Sequence, residues 1–423
     1  MSALQWTMAF LVCVASWKWP LAPVAAYVIA VYVPGMILGN QLLPVPWWLL
    51  VLPVAAAIAC FSHASVGQLS RLNWTVLTLL GLMSVSVGYT YLLSQQWRAY
   101  AQFICLGLAF NCAFVIQSRG RFIGGLAILA IYSVGVSYAY LRMGTQVTGG
   151  GVLGTDSAVN LLVADRNYRA FECVPGVLIG LGLLLAKEDR GKGAFIGLKV
   201  IGLFLVCFCG FAFLQTQSRG GIIALASSFL CLTVHRARTA WTGIALVTVL
   251  VVVLGLTQVP GLLQGVGTRF QQEDVTTLSS RLDIWRDALV AFQNRNFLDQ
   301  LLGCGIGAAE VEVGASTHNG CLRILMDQGL GGLALGGALM ICALCRSWKR
   351  RDSVGTMQFS LSSFAVVASL DVEPHYFIPA FGIVLGLGVA MVPTPAAWRE
   401  APRMAPRGLP LPPPGLPTIR SAN

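Results

Sequence analysis

The chain has 423 residues, of which 56% are hydrophobic and 11% charged, and its mean hydropathy is +0.73. Water cannot solvate so much apolar surface on a folded chain, so the composition excludes an ordinary soluble protein and indicates a bilayer as the solvent. The formal net charge is +11, but the basic residues lie in short segments between apolar runs. This pattern is typical of membrane topology signals and disfavours nucleic acid as a partner.

Apolar runs of about 20 residues predict membrane-spanning helices, because a helix of that length crosses the hydrocarbon core of a bilayer. The predicted fold class is all-α, a polytopic transmembrane helical bundle of about twelve spans within residues 1–392. A thirteenth span at residues 5–17 stays open, because Lys18 and Pro20 interrupt that run. The predicted spans are 20–38, 47–62, 75–94, 99–117, 122–141, 170–186, 195–215, 221–234, 240–257, 321–345, 356–370 and 376–392.

Five basic groups fall on the same side of the predicted bundle, and the positive-inside rule assigns that side to the cytoplasm. The tail 393–423, which contains nine prolines, is interpreted as a disordered cytoplasmic segment. The groups are Arg119 and Arg121; Lys187, Arg190 and Lys192; Arg236 and Arg238; Arg346, Lys349, Arg350 and Arg351; and the arginines of the tail.

The opposite, non-cytoplasmic side then receives one long loop, residues 258–320. It carries four arginines and seven acidic residues, a net charge of −3, and so differs from the basic cytoplasmic segments. Within it, apolar residues at helical spacing predict a short amphipathic helix that lies over the bundle at the membrane surface. Ser280 as N-cap and Asp283 three residues later predict its start. The apolar residues are Leu282, Trp285, Leu289 and Phe292.

The motif Ser218-Arg219-Gly220-Gly221 lies between two predicted spans on the outer, non-cytoplasmic face. An arginine at a membrane boundary is costly to desolvate without a partner, and its planar guanidinium matches phosphate oxygens. The glycines permit backbone amides to approach a ligand closely. The motif therefore indicates an anion site. The alternative is an interfacial arginine that snorkels to water beside a flexible turn.

Arg281 lies in the first turn of the predicted amphipathic helix. A cation there is mildly unfavourable with the helix dipole unless an anion joins it, so the position is suited to an anion site. The alternative is a solvated arginine that pairs with Asp274 or Asp287.

His318 lies where the long loop re-enters the membrane, and an imidazole there can accept a proton near neutral pH. The alternative is a hydrogen-bonding loop histidine. Asn319 and Gly320 predict a turn, and Arg323 and Asp327, four residues apart, are expected to pair on one helix face.

Most of the twelve cysteines lie inside apolar runs, where they behave as small apolar side chains. Cys173, Cys304 and Cys321 lie near one predicted membrane face, but we do not predict a disulfide among them. No zinc-like spacing occurs, and neither a metal nor a cofactor is predicted.

Five short motifs within residues 215–332 resemble those of the bacterial O-antigen ligase and O-antigen polymerase superfamily. In chain order they are Ser218-Arg219-Gly220-Gly221, Ser280-Arg281 with Trp285, Leu302-Gly303-Cys304-Gly305-Ile306-Gly307, His318-Asn319 and Gly329-Leu330-Gly331.

The resemblance implies a multi-pass glycosyltransferase of the bacterial inner membrane, with its active site facing the periplasm. The implied donor is a polyprenyl-diphosphate-linked glycan, such as one on undecaprenyl diphosphate, and no metal is needed. Arg219 and Arg281 are then expected to hold the donor diphosphate, and His318 to activate the acceptor hydroxyl. The further candidates for substrate binding are Ser218, Gly220, Gly221, Trp285 and Asn319.

The acceptor stays open between two transfers. A polymerase extends an O-antigen or exopolysaccharide with the next repeat unit, whereas a ligase transfers the glycan to lipid A-core. The polymerase is slightly favoured, because Arg166 and Arg169 of the outer segment 142–169 offer contacts for a second lipid-linked sugar. Expected partners also include membrane lipids and other polysaccharide assembly proteins. A transporter or flippase is the alternative of another class, and spans with few charges disfavour it.

Overall fold

Every regular element in the described part of the chain is an α-helix, which confirms the all-α prediction for those residues. Helices are the expected result, because a backbone in hydrocarbon must satisfy its hydrogen bonds within its own segment. The predicted spans 75–94 and 240–257 and the tail 393–423 lie outside the described residues. The computed structural model describes residues 3–37, 51–63, 96–143, 166–185, 192–216, 218–235, 281–350, 352–372, 380–390 and 392.

Fourteen helices occur in these ranges, and each predicted span that falls within them coincides with a helix to within about five residues. A helix also covers the apolar run 5–17. The helices are α1 (Ala3–Lys18), α2 (Ala22–Ile37), α3 (Leu52–His63), α4 (Gln96–Val115), α5 (Arg119–Met143), α6 (Arg166–Leu185), α7 (Lys192–Gln215), α8 (Arg219–His235), α9 (Arg281–Gln293), α10 (Phe297–Leu302), α11 (Ala308–Val313), α12 (Gly320–Lys349), α13 (Ser353–Asp371) and α14 (Ala380–Val389).

Five of these helices, α5, α6, α7, α12 and α13, are long and apolar enough to cross a membrane. Shorter apolar stretches of 10–17 residues occur in α1, α3, α4, α8 and α14. The described chain is therefore that of a multi-pass membrane protein, while the number of twelve spans stays a prediction.

Small residues allow the helices to pack closely around the central apolar cluster. The contact between α4 and α14 shows this best. A Cβ at Gly382 would overlap the carbonyl of Cys105, and one at Gly386 would lie 2.6 Å from the carbonyl oxygen of Ala109. Any larger side chain at either glycine would push these two helices apart.

One end of the bundle, which we call the basic end, gathers Arg119 and Arg350. Arg119 at the start of α5 donates to the hydroxyl of Ser353 at the start of α13 (3.4 Å). Arg350 donates to the two carboxylate oxygens of Asp352 (2.5 and 2.6 Å) and to the carbonyl of Val392, beyond α14. These contacts agree with the sequence prediction that the basic group of Arg119 and the basic group of Arg350 lie on the same side of the bundle.

The opposite end, which we call the cap end, joins the end of α5 to the end of α7, because the hydroxyl of Tyr140 donates to the carbonyl of Gln215 (3.0 Å). It also joins the start of α12 to the end of α13, because the amide of Asn319 donates to the carbonyl of Leu370 (3.1 Å). The segments predicted to be periplasmic start or finish at this end.

The long loop contains three short helices, α9, α10 and α11, and the prediction of one amphipathic helix was therefore incomplete. Together with the first part of α12, these helices form a module that we call the cap (residues 281–328). The cap has its own apolar cluster, which accounts for its helices folding against each other. The cluster consists of Ala288, Phe292, Ala309, Leu325 and Met326.

The buried face of α9 differs from the predicted one. Ala288 and Phe292 are buried, whereas Leu282 and Leu289 are 50% and 44% exposed. The four predicted apolar positions lie within about 80° of the helix circumference, and α11 and α12 pack against the edge of this arc, where Phe292 and the neighbouring Ala288 lie.

Helix α12 is broken at Gly329, which has φ 69° and ψ −168°. The glycine-rich loop after α10 packs against this break, and the amide of Gly305 donates to the carbonyl oxygen of Asp327 (2.9 Å). A Cβ at Gly329 would lie 2.5 Å from the backbone of Leu301, and one at Gly303 would overlap the carbonyl of Asp327. The two glycine motifs of the resemblance therefore form one structural unit.

Candidate functional site

Arg219 occupies the first position of α8, directly after the residue that caps the helix. The hydroxyl of Ser218 accepts a hydrogen bond from the amide of Gly221 (3.1 Å) and donates to the side-chain oxygen of Asn167 (2.8 Å). Serine is favoured as an N-cap because its oxygen satisfies an amide that has no partner within the helix. Ser218 thus joins the start of α8 to the start of α6.

Gly221 serves helix packing. A Cβ at this position would lie 2.6 Å from the Cβ of Ala170 and 2.9 Å from Cε2 of Phe213. Its amide donates to Ser218 in the structure, and the contact of Gly221 with a substrate stays a prediction. Gly220 is buried beside it, and its role in substrate binding stays a prediction.

Helix α6 begins at Arg166, so residues 166–169 are helical and do not belong to the outer loop 142–169. Arg169 is 7% exposed, and its guanidinium pairs with Glu172 (2.9 Å). The hydroxyl of Tyr132 donates to the other carboxylate oxygen of Glu172 (2.5 Å). Arg169 is therefore paired inside the bundle, as a buried charge requires, and its contact with a substrate stays a prediction. Arg166 lies at the first position of α6, next to Asn167.

Arg281 is the first helical residue of α9, as the capping pattern predicted, and its side chain is partly buried. One turn later, the indole N–H of Trp285 donates to the carbonyl oxygen of Thr317 (2.7 Å). Residues four apart lie on the same helix face. This bond therefore brings the face of α9 that carries Arg281 against the chain beside His318.

His318 has φ 47°, the one positive φ among the non-glycine residues that the structure describes. This conformation costs about 1 kcal/mol or more, and such strain is concentrated at functional sites. Both neighbours hold it in place. Thr317 accepts the bond from Trp285, and Asn319 accepts from the amide of Leu322 (3.0 Å) while it donates to Leu370. Asn319 is thus the N-cap of α12.

A cluster of buried charges joins the first turns of α12 to α11. Arg323 is fully buried and pairs with Asp327 (2.8 Å), which confirms the predicted pair, and also with Glu310 of α11. The other oxygen of Asp327 accepts from the amide of Ala308 (3.2 Å). The sequence reasoning missed Glu310, because it lies on another helix and no local spacing links it to Arg323.

All twelve cysteines lie within the described residues and are free thiols. Burial raises the pKa of Cys304 to about 11, so this thiol stays protonated at neutral pH and is a poor nucleophile. Within the described ranges, no three His, Cys, Asp or Glu side chains gather as metal ligands.

The fold and these residues define a multi-pass helical membrane protein with arginines at helix starts and a strained histidine at its cap end. The family model described as O-antigen ligase matches residues 202–337, which include Arg219, Arg281 and His318. The resemblance to the O-antigen ligase and polymerase superfamily is thus confirmed over these residues, and the match supports a membrane enzyme of the O-antigen ligase or polymerase type. No curated protein matches the chain.

Proposed function

We propose that the protein transfers a glycan from a polyprenyl diphosphate to an acceptor hydroxyl at the outer face of the bacterial inner membrane. The observation that carries this proposal is the bond from Trp285 to Thr317, which joins the helix of Arg281 to the loop of His318. Arg219 begins α8 at the same end of the bundle, where Ser218 links it to α6.

In this reaction, the acceptor oxygen forms a bond to the anomeric carbon of the donor sugar while the bond from that carbon to the diphosphate breaks. Negative charge grows on the departing polyprenyl diphosphate. The guanidinium groups of Arg219 and Arg281 stabilise this charge, and they favour the transition state because the charge is larger there than in the bound donor. The positive dipole ends of α8 and α9 add to the same effect.

His318 accepts the proton that leaves the acceptor hydroxyl. Its left-handed backbone is held on both sides by the bonds of Trp285 and Asn319, which fix the position of this residue between α9 and α12. Fixed geometry matters because a general base acts only within hydrogen-bonding distance of the proton it removes. The residues invoked for the transfer are two cations and one base, and no step uses a metal or cofactor.

For the acceptor, we propose the polymerase reaction, in which a lipid-linked repeat unit receives the growing chain. Arg166 at the first position of α6 supports this reaction, because the bond from Ser218 to Asn167 brings the starts of α6 and α8 together. Two neighbouring helix starts with one arginine each suit the two diphosphates that a polymerase must hold. The ligase reaction onto lipid A-core is the second candidate, and the description of the matching family favours it.

Arginine substitutions in a deletion strain test the donor site. We expect Arg219→Ala and Arg281→Ala to abolish long-chain polysaccharide, with losses of at least about 100-fold, because each removes charge stabilisation that develops during transfer. Arg286 lies exposed on the same helix as Arg281 and provides the matched control, for which near-normal polysaccharide is expected. Normal chain length from Arg281→Ala, at wild-type protein levels in the membrane, would remove Arg281 from the site.

The glycans of the deletion strain decide between the two transfers. Single repeat units attached to lipid A-core indicate a polymerase, because the ligation step is intact. Long chains that accumulate on the polyprenyl carrier indicate a ligase. If neither product forms and unpolymerised lipid-linked glycan instead accumulates on the cytoplasmic side, the protein is a transporter and the proposed transfer is wrong.

A further inference from the structure

Helix α10 of the cap presents its apolar side chains outward, whereas the side chain of Gln300 turns back toward the end of α9. Four apolar residues are between 38% and 74% exposed. In contrast, the amide of Gln300 donates to the carbonyls of Gln293 (3.0 Å) and Arg295 (3.1 Å). A helix that faces water has the reverse arrangement. The exposed residues, which we call the α10 surface, are Phe297, Leu298, Leu301 and Leu302.

The length of α12 gives the depth of the α10 surface relative to the bilayer. The part of α12 after the break at Gly329, residues 330–349, has 20 residues and is therefore about 30 Å long, which matches the thickness of the hydrocarbon core. The part before the break then extends beyond the core. The break at Gly329 lies about ten residues from the start of the helix, and the end of α10 contacts this break through Leu301.

The charges along α12 give the same depth independently. Arg323 and Asp327 precede the break, and Arg346 and Lys349 lie at the opposite end of the helix. The stretch between Asp327 and Arg346 carries no charge, as a segment within hydrocarbon requires. Leu330, just past the break, is 49% exposed, as expected of a residue that faces acyl chains. The α10 surface thus lies at the level where the bilayer begins.

We propose that α10 is an interfacial membrane helix, and that bilayer acyl chains cover Phe297, Leu298, Leu301 and Leu302. The cap is then held against the bilayer at two places, by α12 and by α10. Interfacial helices of this kind bury their apolar side about 5–10 Å into the boundary between headgroups and acyl chains. This proposal does not depend on the proposed transfer reaction.

Photo-cross-linking tests the proposal. The photoreactive amino acid p-benzoylphenylalanine replaces Phe297, which is an exposed aromatic position, and the full-length protein is reconstituted in vesicles of phosphatidylethanolamine and phosphatidylglycerol without polyprenyl lipid. The matched control carries the same probe at Asp287, an exposed polar position of α9 in the same cap. A second probe at Leu298 guards against a local effect of the first, and elution as a single species in size-exclusion chromatography verifies folding.

After illumination, mass spectrometry should find phospholipid adducts at positions 297 and 298 at yields at least about five times those at position 287. Equal yields at all three positions would overturn the proposal. Adducts with a second copy of the chain would assign the α10 surface to a dimer contact. Adducts that form only after polyprenyl diphosphate is added would assign it to the donor chain. Either of these results also contradicts the bilayer as the occupant.

Discussion

At the scale of single residues, three hydrogen-bonding side chains determine where the candidate residues lie. Ser218 fixes the start of α8, Trp285 connects α9 to the loop before α12, and Asn319 fixes the start of α12. We predicted all three as substrate-binding residues. In the structure each has a clear local partner, so each acts at least in positioning Arg219, Arg281 or His318, and direct contact with substrate stays a prediction.

The left-handed backbone of His318 makes asparagine the informative substitution. Asparagine adopts positive φ more readily than most residues, but its amide does not act as a base. We expect His318→Asn to fold normally and to lose transfer activity by about 10²–10⁴-fold, the range typical of a lost general base. The rate is measured with purified protein, and folding by thermal unfolding. Activity within threefold of the wild type across pH 5–8 would exclude His318 as the base.

Trp285 offers a separate test of positioning. Trp285→Phe keeps an aromatic ring but removes the indole N–H that donates to Thr317. We expect kcat to fall by about tenfold, with KM for the donor little changed, because the substitution shifts the base relative to the donor without removing a charged contact. Steady-state kinetics separate the two parameters. A rise in KM at unchanged kcat would instead indicate that Trp285 binds the substrate directly.

Local spacing predicted some residue contacts and missed others. The pair of Arg323 and Asp327 follows from their separation of four residues on one helix. The bond between Trp285 and Thr317 joins residues 32 apart, and no periodicity of the sequence contains that information. The pair of Arg169 and Glu172 was missed, because a separation of three residues brings the two side chains together only where residues 166–169 are helical.

At the scale of elements, apolar runs predicted most helices, but their ends depended on polar contacts. Helix α6 extends to Arg166, into a segment whose polar composition predicted a loop. Within residues 281–320, α10 and α11 are six residues each, too short to produce a period that can be recognised. The glycine motifs around residues 303 and 329 resembled a functional signature, and the structure shows that they join α10 to the break in α12.

Asp352, the N-cap residue of α13, leads to a prediction about stability at this scale. Asp352 accepts from the amide of Gly355 (2.9 Å) and from Arg350. Burial raises the pKa of Asp352, but the hydrogen bonds from Arg350 and Gly355 outweigh it and leave the pKa below its ordinary value. A lowered pKa in the folded state stabilises the protein at pH values above the ordinary pKa of about 4, and this contribution is lost as the pH falls below it.

We therefore expect Asp352→Ala to lower the free energy of unfolding by about 1 kcal/mol at pH 7, and by less near pH 3. Thermal unfolding in detergent measures the difference between variant and wild type at both pH values. Asp287→Ala, on the exposed side of α9, serves as the control and should change little. An equal destabilisation at pH 7 and pH 3 would show that the carboxylate charge is not the source.

At the scale of the whole molecule, the distribution of charge predicted which helix ends lie together. The predicted grouping of basic residues on one side of the bundle is consistent with the structure, because Arg119 and Arg350 lie at the basic end. The starts of α8 and α12 lie at the cap end. The assignment of the cap end to the periplasm remains a prediction from the positive-inside rule. The arrangement of the helices within the cap was not predictable from the sequence, because it depends on contacts between residues that are far apart in the chain.

The identity of the acceptor also belongs to this scale, because it depends on how α6 and α8 meet at the cap end. The argument for a second lipid-linked substrate now rests on Arg166, since Arg169 is engaged by Glu172. A polymerase therefore needs Arg166 more than a ligase does. Residual ligation without polymer growth is the expected phenotype of Arg166→Ala, and it is read from the glycan length distribution.

The central claim is that the arginines and the histidine at the cap end transfer glycan from a polyprenyl diphosphate. The most direct test incubates the purified protein in detergent with a polyprenyl-diphosphate-linked repeat unit and measures both glycan length and released polyprenyl diphosphate. We predict longer lipid-linked glycan with one polyprenyl diphosphate released per bond formed, and loss of both products in Arg281→Ala but not in Arg286→Ala. Release without elongation, or equal products from Arg281→Ala and the wild type, would contradict the claim.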